Sequence, residues 1–173
     1  MDRARCPTCG EEHDLSSFEP TYRRPDAYLA VPAADRYFRT IVGTDDCRVR
    51  DEDDTNRRYF LRVLLPMRVR GELEPCSWGI WVEVDEASFD RTRELWDVSE
   101  SEQRREPPFG ARLANQLKGY ADTVGLPGRV QLTGPETPPI FTFDLQVAHP
   151  LAAEQRTGVY PERVVEWLAA HIH

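Results

Sequence analysis

The densest chemistry in this chain lies in its first fourteen residues: Cys6 and Cys9 stand at C-x-x-C spacing around Pro7, and Gly10 and His13 follow. Two thiolates at this spacing can close on one tetrahedral ion from a tight turn, with Zn–S distances of about 2.3 Å. A glycine directly after the second cysteine permits the left-handed backbone that turns amides back toward the sulfurs. His13 is near enough along the chain to donate a third ligand. Dithiol redox chemistry would instead place the pair after a strand and at a helix N-terminus, where the dipole lowers a thiol pKa. Only five residues precede Cys6, and Pro7 with Gly10 reads as a turn, so the motif points to Zn2+.

The fourth ligand separates a structural metal from a catalytic one. Four protein ligands close the site, whereas three plus a water make a Lewis acid. Cys47 and Cys76 are both available. Cys47 has polar neighbours beside a strand-like stretch, as a ligand would. Cys76 precedes the apolar run around Trp78, and free cysteine is among the most often buried residue types, so it reads as a small core hydrophobe. The expected set is Cys6, Cys9, His13 and Cys47. An open site would use three of the N-terminal ligands, with His149 or Glu12 as acid or base, and would make the chain a hydrolase-like metal-dependent enzyme.

His149, Gln155 and Arg156 form a second candidate set. One reading is structural: His149 precedes Pro150, which starts a short helix that Gly158 ends. The other sets the three side chains at the mouth of a pocket for an anionic or amide-bearing ligand. The structural reading is favoured, since no partner residue completes a catalytic set. The acidic cluster at 45–54 lacks the glycine and terminal glutamate of a calcium loop and reads as a solvated turn. His171 and His173 read as fraying terminal residues. There is no phosphate-cradling glycine loop, no G-x-S-x-G elbow and no H-E-x-x-H helix.

These residues need elements to hold them. Residues 28–31 read as extended and 32–38 as a short helix with proline in its first turn. Residues 47–50, 59–69 and 78–84 read as strands, the last carrying Trp78 and Trp81 on opposite faces, both assigned to the core. Asp85 can cap a helix over 86–96. Residues 98–108 read as a long polar surface loop, the segment most prone to disorder, and 109–124 fits no single pattern. Residues 129–133 and 140–147 read as a closing strand pair, and 161–171 as a terminal helix with Val164, Leu168 and Ile172 at helical spacing. Strands in the middle and helices at the periphery give an α+β fold with a largely antiparallel sheet. The whole of residues 1–173 reads as one domain, with the zinc knuckle of 1–14 integrated into it.

Composition restricts the function classes. Hydrophobic residues are 40% and charged residues 30% of the chain, a globular balance. The longest apolar runs fall far short of the ~20 residues a membrane-spanning helix needs. No apolar segment precedes Cys6, so a reducing cytoplasmic compartment is expected, where four cysteines are thiols or ligands before they are disulfides. The net charge of −8, from 30 acidic and 22 basic residues, disfavours binding to a nucleic-acid backbone. RNA recognition through the knuckle would need a local arginine patch. Lys118 is the only lysine, so nearly every cation is a guanidinium fork.

The combination of Cys6-x-x-Cys9-Gly10-x-x-His13, an extended segment carrying Cys47, Trp78-Gly79-x-Trp81-Val82, Phe109-Gly110 and His149-Pro150-Leu151 with Gln155-Arg156-x-Gly158 resembles a family of small bacterial proteins known only as a domain of unknown function. The resemblance spans nearly the whole chain. It implies Cys6, Cys9, His13 and Cys47 as a recurrent set and leaves Cys76 as peculiar to this sequence. It carries no activity. The resulting expectation is a bacterial zinc-binding protein with a structural metal, acting through a protein partner or ligand.

Overall fold

The computed structural model describes residues 3–5, 9–14, 18–72 and 75–172. A short hairpin comes first, β1 (Arg3–Arg5) antiparallel to β2 (Glu12–Asp14). Two small helices follow, α1 (Asp26–Ala30) and α2 (Arg36–Arg39). The chain then builds β3 (Thr40–Val42), β4 (Asp46–Arg50), β5 (Arg57–Met67) and β6 (Cys76–Val84) as an antiparallel meander. Helices α3 (Glu86–Glu94) and α4 (Glu100–Gln103) precede β7 (Phe109–Leu113), β8 (Pro127–Gln131) and β9 (Ile140–Phe143). Helices α5 (Pro150–Thr157) and α6 (Pro161–Ile172) complete the order.

The large sheet runs β3-β4-β5-β6-β7-β8-β9, and a parallel contact of Leu64 in β5 with Ile140 in β9 closes its last five strands into a small barrel. β5 is long enough to serve two partners: its first half pairs with β4 and its second half meets β9. The alternation of β5 explains the barrel. Tyr59, Leu61, Val63, Leu65 and Met67 share one face and stand in register with Val84, Val82, Ile80, Trp78 and Cys76 of β6. This face forms the main core with Phe89 of α3, Leu113, Val130, Phe141 and Phe143, and with Leu151, Val164 and Trp167 from α5 and α6. The opposite face of the meander forms a second core of Val31, Cys47, Val49, Phe60, Trp81 and Ala114. Trp78 and Trp81 divide between the two, and each large side chain fully enclosed this way contributes about 1.5–3 kcal/mol of apolar burial.

The α+β class and the antiparallel sheet match the expectation, while three local readings are corrected. Residues 26–30 form a helix rather than an extended run, because Pro25 starts a turn whose carbonyl accepts from Tyr28 and Leu29. The next helix is confined to Arg36–Arg39. The polar stretch 98–108 is organised around Gln103, which is buried. Its amide donates to the carbonyls of Leu95, Trp96 and Val98 at 2.8, 3.2 and 3.1 Å, and its Oε1 accepts from Gly134 N–H at 2.9 Å. The Asp85 cap of α3 forms as expected, accepting from Ser88 N–H at 2.7 Å.

Candidate functional site

In the N-terminal hairpin Ala4 stands opposite His13, and Arg5 opposite Glu12, with Cys9 and Gly10 shortly before β2. Gly10 has φ +75, and among the described residues nothing lies near the position a Cβ would take. A side chain there would be strained by the left-handed backbone. Cys9 is exposed beside it. Cys6, and the side chain of His13, lie outside the described residues. Among the described residues no three His, Cys, Asp or Glu side chains are grouped to hold a metal.

The two candidate fourth ligands occupy different surroundings. Cys47 lies in β4 between Val42 of β3 and Phe60 of β5 and is 0% exposed, packed with Val31, Val49, Trp81 and Ala114. Burial pushes its thiol up to about 11, Arg24 pulling the other way, so the group is neutral. Cys76 opens β6 and is half-buried against the main core. Its Sγ donates to the carbonyl of Phe18 at 3.5 Å, and burial, then the nearby Glu19, raise this thiol to about 11 as well.

His149, Gln155 and Arg156 are each engaged with backbone. His149 caps α5: its Nδ1 accepts from Leu151 N–H at 3.1 Å, which assigns the proton to Nε2, 2.7 Å from the Ala121 carbonyl. Gln155 ties α5 to β9, accepting from Phe143 N–H at 2.9 Å and donating to the Phe141 carbonyl at 3.0 Å. Arg156 donates to the Val147 carbonyl at 3.2 Å.

Beside this cap a polar network joins α5 to α6. Tyr120 donates to Glu154 and accepts from Trp167 Nε1 at 2.9 Å, while Arg163 pairs with Glu154 at 2.9 Å. Burial, then the Glu154 bond, raise the Tyr120 pKa. His171 is not a frayed terminal residue. Its Nδ1 is 2.8 Å from the Trp167 carbonyl, its Nε2 is 3.4 Å from Tyr22 Oη, and its ring stands edge-on to Trp78 at 5.2 Å. Burial holds its pKa low. With Trp81 Nε1 donating to the Tyr22 carbonyl at 2.9 Å, these contacts clamp residues 18–22, the segment that follows the hairpin.

Sequence reasoning missed a groove of about 400 Å³ between α2, β3–β5 and the first turns of α3. Tyr37, Phe38 and Ile41 supply its apolar side, Arg39, Arg48, Arg50 and Arg57 its cations, and Glu86 and Asp90 its anions. Arg48 lies over the Phe89 ring at 5.8 Å, and its buried Nε has no acceptor among the described residues. The signal was the Tyr-Phe pair followed by an alternating strand, but only the register of Ile41, Arg48 and Tyr59 puts these side chains on one face.

Among the described residues no helix is long and apolar enough to cross a membrane. No curated protein and no solved structure matches the chain. The family DUF2199, described as an uncharacterized protein conserved in bacteria, matches residues 5–159, and the match spans both the cysteine motif and the His149–Gly158 segment. The chain belongs to this bacterial family.

Proposed function

We propose that this protein is a bacterial zinc-binding protein whose metal is structural and which acts by binding a protein partner or ligand. The observation that supports the reading is the hairpin with left-handed Gly10 directly after Cys9, the backbone a C-P-x-C-G knuckle requires. Cys6, Cys9 and His13 would hold the Zn2+, with Cys47 or Cys76 as fourth ligand.

Geometry speaks for Cys76. Four ligands around one zinc each lie about 2.0–2.3 Å from it, so the shell of the fourth must be open to the other three. The shell of Cys47 is filled by core side chains, whereas Cys76 touches the chain four residues beyond the end of β2. Of the two acid–base candidates in the enzyme alternative, His149 has both ring nitrogens engaged with backbone, which leaves Glu12.

The test is elemental analysis of protein purified without added metal, with thermal melts before and after a strong chelator. About one zinc per chain is expected. A lowered melting temperature after removal is also expected, because binding free energy at a structural site is folding free energy. Substoichiometric metal with an oxidised Cys6–Cys9 pair would overturn zinc binding. An unchanged melt after complete metal removal would overturn the structural role.

A further inference from the structure

Three of the four tryptophans, Trp78, Trp81 and Trp167, are at most 1% exposed and belong to the core. Trp96, just beyond the end of α3, is half-buried and lines a cavity of about 190 Å³. The turn between β3 and β4, helices α3 and α4, and the loop from β8 to β9 enclose this space. A second cavity, of about 400 Å³, touches the same indole and Asp45. Among the described residues the Trp96 indole N–H has no acceptor, and no cation or aromatic ring stands against the ring. An indole this enclosed usually finds a partner for its polar edge.

The wall of the smaller cavity is short of hydrogen-bond donors. Pro135, Pro138 and Pro139 have no backbone N–H. The Gly134 amide donates to Gln103 Oε1 at 2.9 Å, and Gln103 Nε2 donates to three carbonyls. The Thr92 hydroxyl donates to the Ser88 carbonyl at 2.8 Å, and that of Thr137 to Thr133 Oγ1 at 3.0 Å. The charged groups of the wall are two carboxylates, Asp45 and Glu136. Arg62 stands 3.6 Å from Asp45, beyond hydrogen-bond distance, and is not part of the wall. Glu136 has no ion pair among the described residues. An anion would therefore meet two carboxylates with the side-chain donors around it already committed. A hard divalent metal wants six or more oxygen ligands, and among the described residues no three His, Cys, Asp or Glu are grouped to hold one. A cation that brings its own N–H groups and an apolar body meets neither difficulty.

We propose that this cavity binds a small primary alkylammonium ion. Its N–H groups donate to Asp45 and Glu136, and its alkyl stem lies on Trp96 and the prolines. The negative face of an indole attracts an ammonium, more strongly as water is excluded. The larger cavity is less selective for charge, because its Asp46 is paired with Arg93 at 3.5 Å. The site shares no residue with the hairpin cysteines and stands whether or not the chain holds zinc.

The test is a titration of the full chain with n-butylammonium, followed by NMR at the Trp96 indole N–H, which Trp96→Phe assigns. Saturable shifts with a Kd between about 0.1 and 10 mM are expected. The neutral isostere 1-butanol and the anion butyrate should bind at least about tenfold more weakly. Asp45→Asn should weaken binding about fivefold and Glu136→Gln, at an exposed position, about twofold. Trp96→Leu, read at the Gly134 amide, should weaken it about fivefold. Glu162→Gln removes the same charge at an exposed site elsewhere and should leave binding unchanged. No shift up to about 50 mM ligand, or 1-butanol binding as well as the amine, would overturn the site. So would equal losses in Glu136→Gln and Glu162→Gln, or displacement of the amine by Mg2+ at equal concentration.

Discussion

The Sγ of Cys76 lies 3.5 Å from the carbonyl oxygen of Phe18, so the first residue of β6 touches the chain soon after it leaves the N-terminal hairpin. Cys47, the sequence candidate, is instead enclosed by Val31, Val49, Phe60 and Trp81. Cys76→Ser should therefore lower zinc retention well below that of Cys47→Ser, at equal expression and after identical dialysis. A larger loss from Cys47→Ser would favour Cys47 as the fourth ligand, and equal losses would leave neither preferred.

Cys47→Ser should act on stability. It places a hydroxyl in an apolar cluster with no acceptor arranged for it, at a cost of about 1–3 kcal/mol. Urea denaturation at neutral pH measures this; an unchanged midpoint would show that the site is wetter than its burial implies.

The same thiol makes a pH prediction. Its folded pKa of about 11 lies above the ordinary 9.0, so the unfolded chain loses this proton first as pH rises. The contribution is fully present below pH 9.0 and is lost as pH rises toward about 11. Stability should fall across that window, and Cys47→Ala should flatten part of the slope. Identical slopes in the two proteins would contradict the assignment.

Gln103→Ala removes three donated bonds and one accepted bond at a buried position. It should cost about 2–4 kcal/mol, because the carbonyls of Leu95, Trp96 and Val98 and the Gly134 amide lose their partner together. Proteolysis within 96–106 should accelerate. A loss below about half a kilocalorie per mole would mean that the segment is held by something else.

His149→Ala should lower stability by about 1–2 kcal/mol through loss of the α5 cap, and His149→Asn should recover most of it. If Ala and Asn variants were equally destabilised, the contact with the Ala121 carbonyl rather than the cap would carry the effect.

Much of this molecule was legible in the amino-acid order. The α+β class, the Trp78 strand, the Asp85 cap, the Gly158 helix end and the Gly10 turn follow from periodicity and from residues with few backbone options. So does the division of Trp78 and Trp81 between two cores, since side chains three apart on a strand face opposite ways. These are local rules, and one stretch of chain suffices to apply them. Tertiary structure decided the rest. The polar neighbours of Cys47 in sequence say nothing of its burial: alternate residues of a strand face opposite sides, and Val31 and Trp81 close over it from distant segments. Gln103 sits in a run of charged residues and is buried only because Gly134 arrives from another part of the chain. The barrel closure at Leu64 and Ile140, the contact of Cys76 with Phe18 and the groove around Arg48 each join residues whose proximity depends on register and strand order. Register is a property of paired strands, so no single segment carries it.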